Sequence, residues 1–202
     1  MELLRGIAAS PGVAIGQAIV LDTEEFRIPE RHIGAEKVTE ELQRAEEAFK
    51  ASIGELRTLR EDHAARYGQD TAAIFDWHLC VLSDGRLLGE VLRGIRERRY
   101  TAAYAVSTVM RGYQRRFLEM DNALLSERVY DIQDMEKRLL RHILGRSRED
   151  LSHLSQPVIL VTHDLTPSQT AQLPQEKVLG LSLIHISEPT RPLYISYAVF
   201  CL

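Results

Sequence analysis

Cysteine is nearly absent: the 202 residues hold Cys80 and Cys201 and no others. Cys201 falls in a tail expected to be foreign, and the one remaining cysteine permits no internal disulfide, which suits a reducing compartment. The start, Met1-Glu2-Leu3-Leu4-Arg5, lacks a basic segment followed by an apolar core, so no secretory leader is read there. No apolar run approaches the ~20 residues of a membrane span. Proline is missing from the whole stretch Ala35–Leu144. Aromatic residues make up only 6%, with a single tryptophan, Trp77. Strong charge of one sign is absent too. The formal net charge of −4 argues against a nucleic-acid partner and for a basic protein partner. A soluble, cytoplasmic protein is the expectation.

What is present divides at Gly180. Leu181–Arg191 and Ile195–Leu202 read in one frame as the translation of a transposase-type library adapter and a flow-cell primer, with Pro192-Leu193-Tyr194 filling the index between them. Residues 181–202 are therefore expected to be an adapter-derived tail, outside the native sequence and outside fold reasoning. Glu188 and Arg191 cancel, so the charge belongs to Met1–Gly180, whose one cysteine is Cys80.

Val, Ile and Leu cluster in Leu3–Ala8 and Val13–Leu21, joined by Ser10-Pro11-Gly12. Two short strands about a type II turn are predicted. The charged segment Thr23–Ile33 follows as a connector. Then the period changes. Val38, Leu42, Ala45, Phe49, Ile53 and Leu56 recur at steps of three and four, forming one apolar helical stripe that ends before Tyr67-Gly68. A second helix is predicted from an Asp70 cap through Leu82 to the break Ser83-Asp84-Gly85. A third spans Arg86–Arg98. The fourth is capped by Thr101 and carries Ala102, Val106, Val109, Tyr113, Phe117 and Met120 on one face. The last covers 126–144, with Gly145 at the C′ position. Past Gly145, Pro157–Thr162 reads as a buried strand, Thr166-Pro167-Ser168-Gln169 as a capping box, and Lys177–Gly180 as a further strand.

The expected fold class is thus α+β: an antiparallel helical bundle inserted into an incomplete α/β subdomain. Its expected parts are residues 1–22 (first α/β piece), 35–145 (bundle), 155–180 (second, truncated α/β piece) and the tail 181–202. The strands before the bundle need those after it to complete one sheet.

Four stretches carry a resemblance. Gly6-Ile7-Ala8-Ala9-Ser10-Pro11-Gly12-Val13-Ala14-Ile15-Gly16 is similar to the opening of enzyme I, the phosphoenolpyruvate-protein phosphotransferase of the bacterial sugar phosphotransferase system. Ala73-Ile74-Phe75-Asp76-Trp77-His78 resembles its "IF-x-x-H" helix. Asp131-Ile132-Gln133-Asp134 resembles its "D-[IV]-x-D" helix, and Asp164-Leu165-Thr166-Pro167-Ser168-Gln169-Thr170 its "DLTPSET" turn. They occur in order, and the resemblance covers essentially all of Met1–Gly180.

The resemblance implies a swivelling phosphohistidine-type α/β subdomain and a chemistry. Enzyme I accepts the phosphoryl group of phosphoenolpyruvate on a histidine and passes it to a histidine of the small carrier HPr. A neutral imidazole is a competent nucleophile near neutral pH. In the family that histidine lies in a "GG-x-[ST]-S-H" segment about ten residues beyond the "VLG" strand. Here Val178-Leu179-Gly180 is followed by the tail. His185 is not that histidine: it follows Gly180 by five residues and lacks the glycine pair. The chain is therefore expected to hold no catalytic histidine and no phosphoenolpyruvate-binding barrel, to be inactive by itself, and to bind no cofactor, Mg²⁺ belonging to the intact enzyme. A monomer is expected, the intact family enzyme being a homodimer.

Carried over from the family, the contacts for an HPr-like phosphocarrier are the apolar Cys80, Val81 and Leu87 and the acidic Asp70 and Asp84. Gln69 and Arg86 stand where acidic residues are usual, which weakens attraction to a basic partner. His78 is implied at the interface between the subdomains. The alternatives are a non-catalytic helical-bundle protein-binding module, or the enzyme I module of a multiphosphoryl transfer protein. A pyruvate-phosphate dikinase is disfavoured by the inserted bundle.

Other residues have plainer readings. Asp131 and Asp134, within a turn of Arg128 and Arg138, are expected to form helix ion pairs rather than a metal site. Phe75 and Trp77 serve either as packing between helices or as partner anchors. His32, His63, His142 and His153 are expected at the surface, and Arg96-Glu97-Arg98-Arg99 at a helix C-terminus.

Overall fold

The computed structural model describes residues 7–8, 10–21, 26–69, 72–120, 128–146, 154, 156–162, 165, 167–170, 173–183 and 198–200. The chain divides into two compact units, residues 26–148 and the pair of segments 1–25 and 149–202.

The first unit is helical. A 3₁₀ turn, Ala35–Lys37, leads into α1, Val38–Tyr67. Then come α2, Ala73–Leu82; α3, Gly85–Arg98; α4, Ala102–Glu119; and α5, Val129–Leu144. Local chemistry accounts for several of the ends. Asp84 caps α3, its carboxylate accepting from the Arg86 N–H at 2.9 Å. The Thr101 hydroxyl accepts from the Tyr104 N–H at 3.3 Å and caps α4. Gly145 ends α5 with φ +62°, a left-handed conformation that costs glycine little. Asp70, expected to cap α2, lies outside the described residues; Ala72 is the flanking residue there, without a side-chain cap.

α1 packs against α2, α3, α4 and α5, and α4 packs against α3 and α5. The stripe residues Ala45, Phe49 and Leu56 of α1 are buried, as are Val91 and Ile95 of α3 and Met135 and Leu139 of α5. Burying one such side chain is worth about 1.5–3 kcal/mol.

The apolar stripes did not reveal the charged residues in this interior, Glu41 and Arg138 among them. Glu41 is 6% exposed. One of its oxygens accepts from the Ala102 N–H at 2.6 Å and the other pairs with Arg44 at 2.7 Å. A side chain of α1 thus satisfies an orphan donor at the start of α4. Arg138 is 1% exposed and reaches Glu55 of α1 at 2.5 Å, which also takes His142 at 3.0 Å. His142 is therefore an interhelix partner rather than a simple surface residue. Arg138 thus pairs across helices, with Glu55 of α1. The Arg128–Asp131 pair does form, at 2.9 Å.

The second unit is a sheet. Its strands are β1, Ile7–Ala8; β2, Gln17–Leu21; β3, Val158–Thr162; β4, Val178–Leu183; and β5, Ala198–Phe200. Among the described residues the order is β1-β5-β4-β3-β2. β2–β3 and β3–β4 are parallel, β4–β5 antiparallel and β1–β5 parallel. Parallel neighbours need a crossover. The whole helical unit serves between β2 and β3, and the short α6, Pro167–Thr170, between β3 and β4. Leu21, Leu154, Val158, Leu160, Leu173 and Val178 form this unit's core.

Two expectations about this unit change. β2 starts at Gln17 rather than Val13. Gly12 takes φ +144°, and Val13 and Ile15 stand before the strand, each 90% exposed. The strand expected to stop at Gly180 runs on to Leu183, and Ala198–Phe200 pairs with both β4 and β1. An unpaired strand edge accepts extended apolar sequence, and Leu181–Leu183 and Ala198–Phe200 supply it. Leu181 packs against the core beside Leu160. Leu3–Arg5, His153, the Thr166 cap and His185 lie outside the described residues.

Candidate functional site

The turn between α2 and α3 is short, since Ser83 and Asp84 alone separate the helices. The end of α2 and the start of α3 therefore face α4 and α5 across a groove of about 420 Å³. Trp77, Cys80 and Val81 line it from α2, Leu87 from α3, Met110, Tyr113 and Phe117 from α4, and Ile132 from α5. Apolar and aromatic side chains dominate its wall. Among the described residues of the lining, Asp84 is the one formally charged.

The residues singled out by resemblance fall here. Cys80 and Asp84 are exposed at the groove, and Val81 is half-buried. Leu87 is 2% exposed and forms wall rather than rim. Asp70 lies outside the described residues. Sequence reasoning missed Met110, and it assigned Tyr113 and Phe117 to the core stripe of α4. That stripe is buried through Val106, but Tyr113 and Phe117 are only partly covered and Met120 is 46% exposed. An amphipathic pattern marks a helix face as apolar without saying whether another helix covers it.

The two aromatic residues of the α2 motif have different fates. Phe75 is buried, whereas Trp77 is partly exposed in the groove, with the Arg128 guanidinium 5.2 Å from its ring centroid. Arg128 also bonds Asp131. The second Asp131 oxygen lies 3.4 Å from His78 Nε2, an ion-pair distance longer than a well-formed hydrogen bond. His78 is wholly buried within the helical unit, its ring edge-on to those of Phe75 and Trp77. Neither of its ring nitrogens has a hydrogen-bond partner. Burial pushes the Asp131 carboxyl up. The proximity of His78 and the hydrogen bond and positive charge of Arg128 outweigh that and hold it below the ordinary carboxylate value. The groove wall thus rests on the buried Asp131 carboxylate and its contacts with Arg128 and His78.

On the opposite wall the Tyr113 hydroxyl points to Glu90 Oε1 at 3.4 Å, and Arg116 stands 5.5 Å from the Tyr113 ring. Burial and the Glu90 charge raise the phenol above its ordinary value, and Arg116 offsets this in part. No group of three or more His, Cys, Asp or Glu side chains among the described residues is arranged to hold a metal ion. No described helix is long and apolar enough to cross a membrane.

Comparison with known proteins gives this groove a context. The family "PEP-utilising enzyme, N-terminal" matches residues 5–128, which include all of α1–α4. "Phosphoenolpyruvate-protein phosphotransferase" of Haemophilus influenzae is 38% identical over 179 residues, covering 89% of this chain and 31% of that protein. The protein of the same name from Enterococcus faecalis is 39% identical over 173 residues, covering 85% and 30%. The chain therefore spans about three-tenths of the length of these relatives. Among solved structures, "NMR solution structure of Enzyme I (nEIt) protein using two 4D-spectra" is 34% identical with a TM-score of 0.77, covering 89% of this chain and 72% of that one. "N-terminal domain of Enzyme 1 - Nitrogen", at 24% identity and a TM-score of 0.64, shares the fold. The bundle inserted in an α/β unit, the motifs along the chain and these matches agree: the chain belongs to the PEP-utilising enzymes, in the N-terminal part found in enzyme I.

Proposed function

We propose that the helical unit docks an HPr-like phosphocarrier protein through the groove between α2, α3, α4 and α5. On this reading it serves a phosphotransferase that moves a phosphoryl group from phosphoenolpyruvate, through a histidine, to that carrier. The observation that carries the reading is the convergence of Cys80, Val81, Asp84 and Leu87 on one mostly apolar groove. An apolar centre with a polar rim is the anatomy of a protein interface, and Trp, Tyr and Met are residue types that interfaces favour. Asp84 supplies an acidic group at the edge, suited to steering a basic partner. Arg86 beside it moderates that attraction.

The chain by itself docks the carrier without transferring phosphoryl groups. Phosphoenolpyruvate binding and Mg²⁺ are left to the longer enzyme, and no step here runs through a metal. The isolated chain is a monomer on this reading, and a concentration-independent dimer by size-exclusion chromatography would contradict it.

Titration of the full chain with an HPr-type carrier, read by calorimetry, tests the docking site. Val81→Asp places a charge in the apolar groove and is expected to weaken binding by about tenfold or more, with an unchanged far-ultraviolet spectrum. Asp84→Asn keeps the cap of α3 and removes the charge, so a several-fold loss with a flatter salt dependence is expected. Wild-type affinity in Val81→Asp would sink the proposal.

A further inference from the structure

On the other side of Tyr113, α3 and α4 enclose a second cleft, of about 330 Å³. Its chemistry is the reverse of the docking groove. Arg93 and Arg98 reach it from α3 and Arg116 from α4, with Glu90 and Glu97 also in the lining. None of the three guanidinium groups has a carboxylate partner among the described residues, although both glutamates share the cleft with them. Glu90 faces the Tyr113 hydroxyl instead.

The concavity follows from small residues. α3 and α4 approach closely at Gly94, where an added Cβ would touch Ala105 at 3.7 Å and the Tyr100 ring at 3.6 Å. Ala105 and Val109 continue the floor. From Ala105 to Arg116 the cleft follows α4 for about 16 Å, at 1.5 Å rise per residue. Arg98 therefore stands towards one end, Arg116 at the other and Arg93 between them.

Three arginines against two glutamates leave this concave surface net positive among the described residues, and guanidinium forks match phosphate and carboxylate oxygens. Glu97 adds selectivity. A carboxylate accepts hydrogen bonds and repels bare anions, so a ligand gains from it only by bringing donors of its own. The cleft volume lies at the low end of small-molecule sites, roughly 300–1,000 Å³.

We propose that this α3–α4 cleft binds a small hydroxylated organophosphate, its phosphate held by the arginines and its hydroxyl groups by Glu97. The cleft is separate from the docking groove, so its ligand does not depend on the carrier reading. The two adjoin where Tyr113 of the groove meets Glu90 and Arg116 of the cleft.

The test is an amide-resolved NMR titration of the full chain with glycerol 3-phosphate, inorganic phosphate and glycerol, each at ionic strength matched with sodium chloride. Saturable shifts centred on Gly94, Tyr100 and Thr108 are expected with glycerol 3-phosphate. Arg93→Gln with Arg98→Gln should weaken that binding by about tenfold or more. Arg111→Gln with Arg115→Gln, at exposed positions outside the cleft lining, should leave it unchanged and matches the loss of two positive charges. Glu97→Gln separates the ligand classes: it should weaken glycerol 3-phosphate and strengthen inorganic phosphate. Non-saturating shifts, or the same shifts with sodium chloride alone, would overturn the site. Tighter binding of both phosphates in Glu97→Gln would overturn the hydroxylated class.

Discussion

The helical unit and the sheet unit reach their cores by different routes. Each helix of the first unit declares its buried face within a few turns of its own sequence, and α1–α2, α3–α4 and α4–α5 pack as neighbours in the chain, although α1 also reaches α3, α4 and α5. The sheet unit pairs β2 with β3 across the whole inserted bundle, and β1 with β5 across nearly the full chain. Local contacts form early at small entropic cost, whereas distant strands must close long loops before any pairing is gained. The bundle should be the more independent of the two. The sheet should depend on whichever sequence supplies its later strands.

Removing residues 181–202 gives the sharpest test of that contrast. Hydrogen exchange should then show amides of β2, β3 and β4 losing most of their protection while those of α1, α3, α4 and α5 keep theirs. Uniform protection across both units would erase the distinction. Read of the source DNA across codon 180 bears on the same strand, since it decides whether Leu181–Leu183 is native to β4.

Within the bundle, Glu41→Ala should be the next largest effect. It leaves the Ala102 N–H without its buried acceptor and should cost about 1–3 kcal/mol in chemical denaturation. A change below a few tenths of a kcal/mol would show that water replaces the carboxylate at no cost.

Acid should separate the units by a smaller margin. Because the Asp131 carboxyl is held below its ordinary value of 3.8 in the folded state, its contribution is fully present above that pH. It is lost as pH falls through the depressed value. The stability difference between the wild type and Asp131→Asn should shrink over that range, and a constant difference would remove the charged pair as its cause.

The smallest expected change is the least intuitive. Arg138 is buried with its Nε and one terminal nitrogen unpartnered, while Glu55 is nearly half exposed and keeps His142. Arg138→Met should therefore alter stability by no more than about 1 kcal/mol, of either sign. A loss of about 3–5 kcal/mol would instead mark the Arg138–Glu55 pair as a stabilising element of the bundle.

The helices were legible because periodicity, capping and composition agree. Thr101, Asp84 and Gly145 end their helices by chemistry that involves only near neighbours. The groove between α2, α3, α4 and α5 was half legible. A resemblance pointed to Cys80, Val81, Asp84 and Leu87, but nothing in the sequence indicated that Met110, Tyr113 and Phe117 face them. Buried charge was not legible at all. Glu41 and Arg138 occur among many exposed charges of the same types, and only their partners on other helices explain their burial. The strand ends were misread for a related reason. An apolar run such as Val13–Ile15 is compatible with a strand, but pairing begins only where β3 provides a partner, opposite Gln17.

By itself, then, the sequence determined the five long helices, the short strands that flank them and the interruption of one α/β unit by a bundle, because period and turn chemistry act over a few residues. Tertiary structure alone decided which apolar faces are covered and which remain open as a groove. It also decided which carboxylate caps a distant helix and which arginines meet across α3 and α4. Those outcomes depend on distances between side chains far apart in the chain, and no local pattern encodes them.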